Sequence, residues 1–358
     1  MRVVLAGGGT AGHVNPLLAT AAELMRRDPA AKLAVLGTAS GLESRLVPAA
    51  GLELTAIPKA RVPRAIGAEW LRLPANLAGA VREARRAIAK IDAQAVVGFG
   101  GYVAAPAYLA ARRERVPAIV HEANSRPGLA NRLGARRAAA VAVTFPDTPL
   151  RGAQLTGLPL RGAIAGLDRA AGREAAAAAL GLDPARPVLV VTGGSLGALR
   201  LNATAVGLAP ALLDAGVQVL HLTGAGKAES VRAAIVHPDY HVREYLDRID
   251  LAYTVADLIV ARAGAGTVSE IAAVGIASVL VPLPIGNGEQ ALNARGLIEA
   301  GGALAVADRD FTPAWALARI PPLFADPRAL PTMAAHARSA GIREGAGRLA
   351  DLIEAAIR

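Results

Sequence analysis

Residues 262–294 read RAGAGTVSEIAAVGIASVLVPLPIGNGEQALNA, and the order of local patterns in this stretch decides the fold. Gly264 and Gly266 leave backbone N–H groups open to close approach. Thr267 and Ser269 stand where a helix would begin, Glu270 falls in its first turn, and IAAVG completes a short apolar helix. ASVLVPLP, residues 277–284, is a continuous apolar run of the kind that forms a strand buried on both faces. A polar loop, GNGEQ, leads into another helix. The sequence loop, helix, strand, loop, helix predicts a parallel sheet, with Glu270 and Gln290 on loops leaving the same sheet edge. Open N–H groups at a helix start form an anion site. A nucleotide sugar needs this set: N–H groups for phosphates, a carboxylate for ribose hydroxyls, an amide for the sugar.

The same alternation extends towards the N-terminus. Residues 1–27 give an apolar strand, a Gly-rich turn and a helix; residues 32–38 and 52–58 are strands around a short helix at 41–51. Residues 59–90 form a basic segment and helix, 93–102 a strand with a Gly turn, 105–115 a helix, and 117–124 and 138–145 further strands. Residues 186–202 then repeat the opening plan of strand, Gly turn and helix, and 217–224, 257–264 and 277–284 are the later strands. Both turns fit GG-[ST]-x-G, as Gly8-Gly9-Thr10-Ala11-Gly12 and Gly193-Gly194-Ser195-Leu196-Gly197. The pattern predicts α/β architecture: two Rossmann-like doubly wound parallel-sheet domains, residues 1–160 and 161–344, facing each other across a cleft. The linker is expected near 156–164, and a helix at 345–358 ends the chain.

A chain of 358 residues, 53% of them hydrophobic, has material for two cores. With 0 Cys it holds no disulfide, thiolate nucleophile or Cys-zinc site. No apolar run approaches the ~18 residues needed to cross a bilayer. The N-terminus reads as a strand and not as a signal peptide, so a soluble or peripheral, cytoplasmic protein is expected. The net charge of +10 is uneven: residues 1–160 carry 21 Lys+Arg against 10 Asp+Glu, and the rest 18 against 19. Codon bias would raise both halves alike. A basic first half implies an anionic partner. Nucleic acid is the weakest choice, because aromatics are 3% and offer few stacking platforms.

Gly7, Gly9 and Gly12 also satisfy G-x-G-x-x-G, a dinucleotide fingerprint. The acid that should follow the second strand is missing, since that strand ends Leu36-Gly37-Thr38. The loop is better read as receiving a phosphate or a sugar. His13 follows it at a helix start, where it either makes a local hydrogen bond or takes a proton from a hydroxyl near neutral pH. HEANSRPG, 121–128, sets His121, Glu122 and Asn124 at a strand's C-terminal end. Glu122 could be a base, a hydroxyl ligand or a structural partner for Arg. The DRD at 308–310 reads as a helix start, with Asp310 or Thr312 capping before Pro313, and the His residues at 221, 237, 241 and 336 lack metal-ligand spacing. No metal site is expected.

Residues 59–90 hold eight basic and two acidic residues mixed with Trp70, Leu71, Leu73 and Leu77. This is either an ordinary solvated amphipathic helix or a surface for an anionic leaflet, each basic residue there being worth about 1 kcal/mol.

Taken together, GGTAGHVNP, HEANSRPGLANR, TGLPLR, VTGGSLGALRLN, EYLDRIDLAY, RAGAGTVSEIAAVGIASVLVPLP and GNGEQALNA resemble, in order and spacing over nearly the whole chain, the MurG family. These are the undecaprenyl-diphospho-muramoylpentapeptide N-acetylglucosaminyltransferases of peptidoglycan synthesis. The resemblance implies the GT-B fold, with helix 345–358 completing the N-terminal, membrane-side domain and residues 161–344 binding UDP-GlcNAc. It implies inverting transfer of GlcNAc from UDP-GlcNAc to the MurNAc C4 hydroxyl of lipid I, giving lipid II, with no cofactor. It implies a peripheral place on the cytoplasmic face of the cell membrane, and favours membrane contact for 59–90. Other cell-wall synthesis proteins, active in cell shape and division, are implied partners.

Carried over by motif, Thr10, Ala11, Gly12, Asn124 and Arg161 are expected on the donor-sugar side. Ser195 is expected at the diphosphate and the Leu246 backbone at uracil. Ala265, Gly266, Thr267, Val268, Ser269 and Glu270 are expected at the nucleotide, with Glu270 on the ribose, and Gln290 on GlcNAc hydroxyls. The chain departs from the family at Leu158, commonly Asn, and at Glu289, often Gln. His13 is the expected base, with Glu122 second. Competing readings are a GT-B enzyme with another lipid acceptor, an NAD-linked nucleotide-sugar epimerase or oxidoreductase, and a non-catalytic nucleotide-sugar scaffold.

Overall fold

The structure is a computed structural model describing residues 1–60, 69–194, 197–285 and 287–358, with the side chains of residues 69–72 outside the description. Its described strands form two wholly parallel sheets. The first takes β1 (Arg2–Ala6), β2 (Lys32–Gly37), β3 (Glu53–Ala56), β4 (Ala95–Gly98), β5 (Ala118–Glu122), β6 (Ala140–Val143) and β7 (Ala153–Leu155) in the order β3-β2-β1-β4-β5-β6-β7. The second takes β8 (Val188–Thr192), β9 (Gln218–Leu222), β10 (Tyr240–Arg243), β11 (Leu258–Ala261), β12 (Ala277–Leu280) and β13 (Ala303–Ala305) in the order β10-β9-β8-β11-β12-β13.

Parallel pairing requires crossovers, and here most are helices that cover the sheet faces. Central strands are accordingly apolar on both sides: VVLA of β1 and AVVG of β4 are buried throughout, in a register that sets Val3 opposite both Leu33 and Ala95. β7, β10 and β13 were not anticipated from sequence. Each has three or four residues and lies at a sheet end, where one-sided pairing leaves little apolar signal.

The chain divides into two units, Met1–Arg161 with Arg343–Arg358, and Gly162–Ile342. Arg161, Arg343 and Glu344 therefore belong with the first unit, although the sequence reading set them in the second. Packing explains the return of the chain end. In the helix Gly345–Ile357, Leu349, Ala350 and Ile353 are wholly buried in one cluster with Val3, Leu5 and Leu17. Complete burial of Leu349 and of Ile353 is worth about 2 kcal/mol each. Arg27 then holds the helix by its guanidinium, 2.7 Å from Asp351 Oδ1, 3.2 Å from Glu354 Oε1 and 2.9 Å from the Gly347 carbonyl.

The segment at 308–313 is a helix entry: Thr312 Oγ1 accepts from the Trp315 N–H at 3.2 Å and Pro313 takes the first helical position. Asp308 pairs with Arg262 and Arg200, at 2.7 and 3.0 Å.

Each unit buries one imidazole in its neutral form. In the second, His221 Nδ1 accepts from the Tyr240 hydroxyl at 2.8 Å and Nε2 donates to Asn202 Oδ1 at 3.0 Å. In the first, His121 Nε2 donates to the Gly157 carbonyl at 3.2 Å and its ring lies against Phe99. Burial pushes both rings from 6.5 down to about 4. The unfolded chain binds these protons below about pH 6.5 and the folded chain only near pH 4, so the stabilisation is complete above 6.5 and is lost as pH falls between those values. Each ring contributes on the order of 3 kcal/mol. The melting temperature is expected to drop steeply between pH 6.5 and 4.5 in a calorimetric series; a flat profile would contradict the assignment.

Candidate functional site

In an open parallel sheet, loops diverge at the point where strand order reverses, and that point faces ligands. Both sheets have one, between β1 and β4 and between β8 and β11. The two Gly-rich turns leave β1 and β8, so each lies at a switch point.

In the first unit the turn after β1 leads into the helix Ala11–Arg27. Thr10 is the residue before it, and Ala11, Gly12 and His13 form its first turn. His13 is half-buried against the β4 turn, where Gly100 and Gly101 have φ +95° and +72° and no Cβ to obstruct the ring. Its Nδ1 lies 3.2 Å from the Gly8 carbonyl and 3.1 Å from Thr10 Oγ1. A carbonyl only accepts, so Nδ1 carries the proton and Nε2 keeps its lone pair. Burial lowers the His13 pKa below the ordinary imidazole value, against the opposing pull of the Gly8 carbonyl and of the Glu122 and Glu43 charges.

Glu43 was not anticipated from sequence. It opens the helix Glu43–Ala49, has no exposed surface, and reaches under the first glycine turn. Its Oε2 accepts from the Gly9 N–H at 2.9 Å; its Oε1 accepts from the Thr38 N–H at 2.9 Å and the Thr38 hydroxyl at 2.7 Å. Burial works against this charge, but the Gly9 and Thr38 donors outweigh it and hold the carboxyl below its usual range. A Cβ at Gly8, Gly37 or Gly41 would overlap the Glu43 side chain, so three glycines make its space. The signal in the sequence was GLE just after Thr38, too far past β2 to look like the missing dinucleotide acid.

Glu122 is also buried, and both oxygens are engaged: Oε1 accepts from the Asn124 N–H at 2.9 Å, and Oε2 from the Gly128 N–H and Asn131 Nδ2, each at 3.0 Å. These bonds use the carboxylate to build the loop that carries Asn124, which favours a structural role over that of a second base. Asn124 and Arg161 are half-buried in the segments following β5 and β7. Leu158, the apolar departure from the family pattern, is buried under the start of the C-terminal helix, where a Cβ on Gly345 would overlap its carbonyl.

In the second unit Ser195 lies outside the described residues. Around it, Gly193 and Gly197 are packed against Ala198 and the Thr223 carbonyl, and Gly194 and Gly197 have φ +81° and +67°. On the other side of the switch point the helix Ala265–Val274 starts after Gly264. The first intrahelical bond there, Val268 N–H to the Gly264 carbonyl at 3.0 Å, leaves the N–H groups of Ala265, Gly266 and Thr267 ahead of it at the positive helix end. A Cβ at Gly264 or Gly266 would meet nothing within 4 Å.

Glu270 sits on that helix half-buried, and its Oε2 accepts from the Tyr253 hydroxyl at 2.8 Å. Tyr253 is 2% exposed, a fixed donor that sets the carboxylate's direction. Gln290, in the first turn of Glu289–Glu299, accepts the Leu283 N–H at Oε1 at 2.9 Å, which directs its NH₂ group elsewhere. Glu289 closes its own loop, accepting from the Asn287 N–H at 3.2 Å. Leu246 is half-buried in the segment after β10, two residues past Glu244, whose carbonyl accepts the Gly224 N–H at 2.9 Å. Val268 is buried, while Thr267 and Ser269 are half-buried.

Residues 3–143 match the glycosyltransferase family 28 N-terminal domain, and residues 188–349 the glycosyltransferase family 28 C-terminal domain. The chain is 56% identical over 355 residues to the UDP-N-acetylglucosamine--N-acetylmuramyl-(pentapeptide) pyrophosphoryl-undecaprenol N-acetylglucosamine transferase of Clavibacter michiganensis, covering 99% of this chain and 96% of that one. It is 50% identical over 358 residues to the protein of the same name from Streptomyces avermitilis, covering 100% and 99%. Among solved structures it is similar to Acinetobacter baumannii MurG, with TM-score 0.79, 29% identity and 99% of both chains covered. The fold is GT-B.

Gly264 is not required by backbone angle or packing, so Gly264→Ala tests the helix start directly. The substitution is expected to leave the melting temperature within about 2 °C and to weaken nucleoside diphosphate binding at least about tenfold. Unaltered affinity by calorimetric titration would show that the diphosphate does not approach here.

Proposed function

The chain belongs to glycosyltransferase family 28, and from that premise we propose its reaction and the residues that carry it. It moves N-acetylglucosamine from UDP-N-acetylglucosamine to the C4 hydroxyl of the N-acetylmuramic acid of lipid I, the undecaprenyl-diphospho-muramoyl-pentapeptide. The product is lipid II, formed with inversion at the anomeric carbon during peptidoglycan synthesis. The observation that carries the substrates is the end-to-end match, at 50% identity or more, to transferases named for them.

Breaking the sugar–phosphate bond leaves charge on UDP. The N–H groups that begin Ala265–Val274 receive it, the helix end contributing roughly 0.3–2 kcal/mol, and Ser195 is proposed as a further diphosphate contact. Glu270, aimed by Tyr253, accepts from ribose hydroxyls, and the Leu246 backbone pairs with uracil. The Gln290 NH₂ donates to GlcNAc hydroxyls. On the first unit, Thr10, Ala11, Gly12, Asn124 and Arg161 serve the sugar side.

His13 Nε2 takes the proton from the acceptor hydroxyl, a role typically worth about 10²–10⁴ in rate. Its lowered pKa keeps that nitrogen free at neutral pH. A dinucleotide reading of the same loop is disfavoured, because Gly9 N–H is turned inward to Glu43 and β2 ends without an acid for a ribose.

An anionic membrane surface is the proposed partner of the first unit. In the described part of residues 59–90, Leu77, Val81, Arg82 and Arg85 line a groove of about 440 Å³ together with Leu109 and Arg113. A neighbouring groove of about 450 Å³ shares Leu109 and carries Arg112, Arg136 and Arg137. Leu129 and Leu133 stand exposed one helical turn apart on the adjoining helix. Among the described residues no helix is long and apolar enough to cross a membrane. A peripheral place on the cytoplasmic membrane face, with other cell-wall synthesis proteins as neighbours, fits this surface.

The reaction is tested by UDP release. Release is expected from UDP-GlcNAc with a short-chain lipid I analogue, and not from UDP-glucose or with diacylglycerol as acceptor. No release with the lipid I analogue would leave only a binding scaffold. His13→Ala is expected to lower kcat at least about tenfold with little change in donor KM; an unchanged kcat would remove it as base. Arg136→Glu combined with Arg137→Glu is expected to weaken sedimentation with phosphatidylglycerol vesicles at least about tenfold. Binding equal to wild type would move the membrane surface elsewhere.

A further inference from the structure

We propose that Glu43 is a positioning residue for His13, acting through the single peptide group that joins Gly8 to Gly9. The inference rests on the reading of His13 as the base. Its geometry stands on three hydrogen bonds. Glu43 Oε2 accepts the Gly9 N–H at 2.9 Å, and the carbonyl of that same peptide, Gly8 C=O, accepts His13 Nδ1–H at 3.2 Å. In a trans peptide the N–H and C=O point in opposite directions, so carboxylate and imidazole lie on opposite sides of one rigid plane. Thr10 Oγ1, 3.1 Å from Nδ1, keeps the ring in that orientation.

The arrangement has two effects. A carboxylate bonded to the N–H polarises the peptide and makes its carbonyl a stronger acceptor, as chained hydrogen bonds do. A stronger acceptor at Nδ1 keeps the lone pair on Nε2. When Nε2 takes the proton from a hydroxyl, the resulting imidazolium bonds more tightly to the same carbonyl. Glu43 never touches substrate, since it has no exposed surface. Its position is also expensive to maintain: a buried charge must be compensated, which the Gly9 and Thr38 donors accomplish. Gly8, Gly37 and Gly41 are all kept clear for it.

Other groups face the ring. From β5 come Glu122, whose charge raises the His13 pKa, and His121, a neutral imidazole at neutral pH. From the helix Gly101–Glu114, Tyr102 lies beside Gly9 and Thr38. Glu122 spends its oxygens on Asn124, Gly128 and Asn131. Glu43 alone among these shares a peptide with the His13 acceptor.

The test is nitrogen NMR of the full chain labelled with ¹⁵N-histidine, the His13 signals being assigned by their loss in His13→Gln. In the wild-type protein the neutral ring is expected as the Nδ1–H tautomer; an Nε2–H tautomer overturns the proposal whatever the variants do. In Glu43→Gln, which keeps the side chain's size and removes its charge, the His13 pKa is expected to fall by about one unit. The acid limb of the kcat/KM profile should move with it, while kcat drops roughly three- to tenfold and donor KM holds. Gly41→Ala, whose Cβ would displace the carboxylate, should lower the His13 pKa in the same direction. A folded Glu43→Gln protein with an unshifted His13 titration overturns the proposal, even if activity falls. Because the ring titration does not depend on turnover, this failure is distinct from that of His13 as base, which an unchanged kcat in His13→Ala would reveal.

Discussion

Parallel pairing obliges every strand of a sheet to deliver its C-terminal end to the same edge, and both sheets here obey that rule in all described strands. Within each sheet, the loops that follow the strands therefore gather at one edge without being close in sequence. Glycine turns leave β1 and β8, and the segments bearing Asn124, Leu246, Glu270 and Gln290 follow β5, β10, β11 and β12. The strands themselves carry almost no chemistry. Their apolar faces exist to hold those edges still, and the burial of VVLA and LIVA from end to end shows how completely they are committed to that task.

Charge management is the second theme. Glu43 and Glu122 are buried, and each accepts from loop N–H groups, joined by the Thr38 hydroxyl at Glu43 and by Asn131 Nδ2 at Glu122. Removing such donors from a buried carboxylate leaves a charge whose desolvation costs several kcal/mol. The carboxylates thus impose shape on segments with little apolar content of their own. Glu270 works differently: it is half-buried, and its Oε2 accepts from the hydroxyl of the buried Tyr253. The contrast separates buried acids that build loops from a half-buried acid proposed to meet the ribose.

Much of this was legible in the sequence. Central strands announced themselves as apolar runs, and the paired glycine turns announced the duplication. Edge strands such as β13, only Ala-Leu-Ala, carry no such pattern. The helix start after β11 was readable because Gly264 and the apolar IAAVG follow a strand directly. Glu43 and Tyr253 were not readable, because their partners lie 34 and 17 residues away and meet them only through tertiary packing. The loop-building bonds of Glu122 were hidden for a related reason. A carboxylate at a strand end looks available until the loop's own N–H groups are seen to converge on it.

The return of Gly345–Ile357 to the first unit makes that unit discontinuous along the chain. On a ribosome the second unit can complete its core as soon as residues 162–342 have emerged, whereas the first must wait, its apolar Val3–Leu5–Leu17 face uncovered, until Leu349 and Ile353 are made. The earliest-synthesised half is then the last to close. Chaperone dependence during translation should therefore concentrate in the half that bears His13.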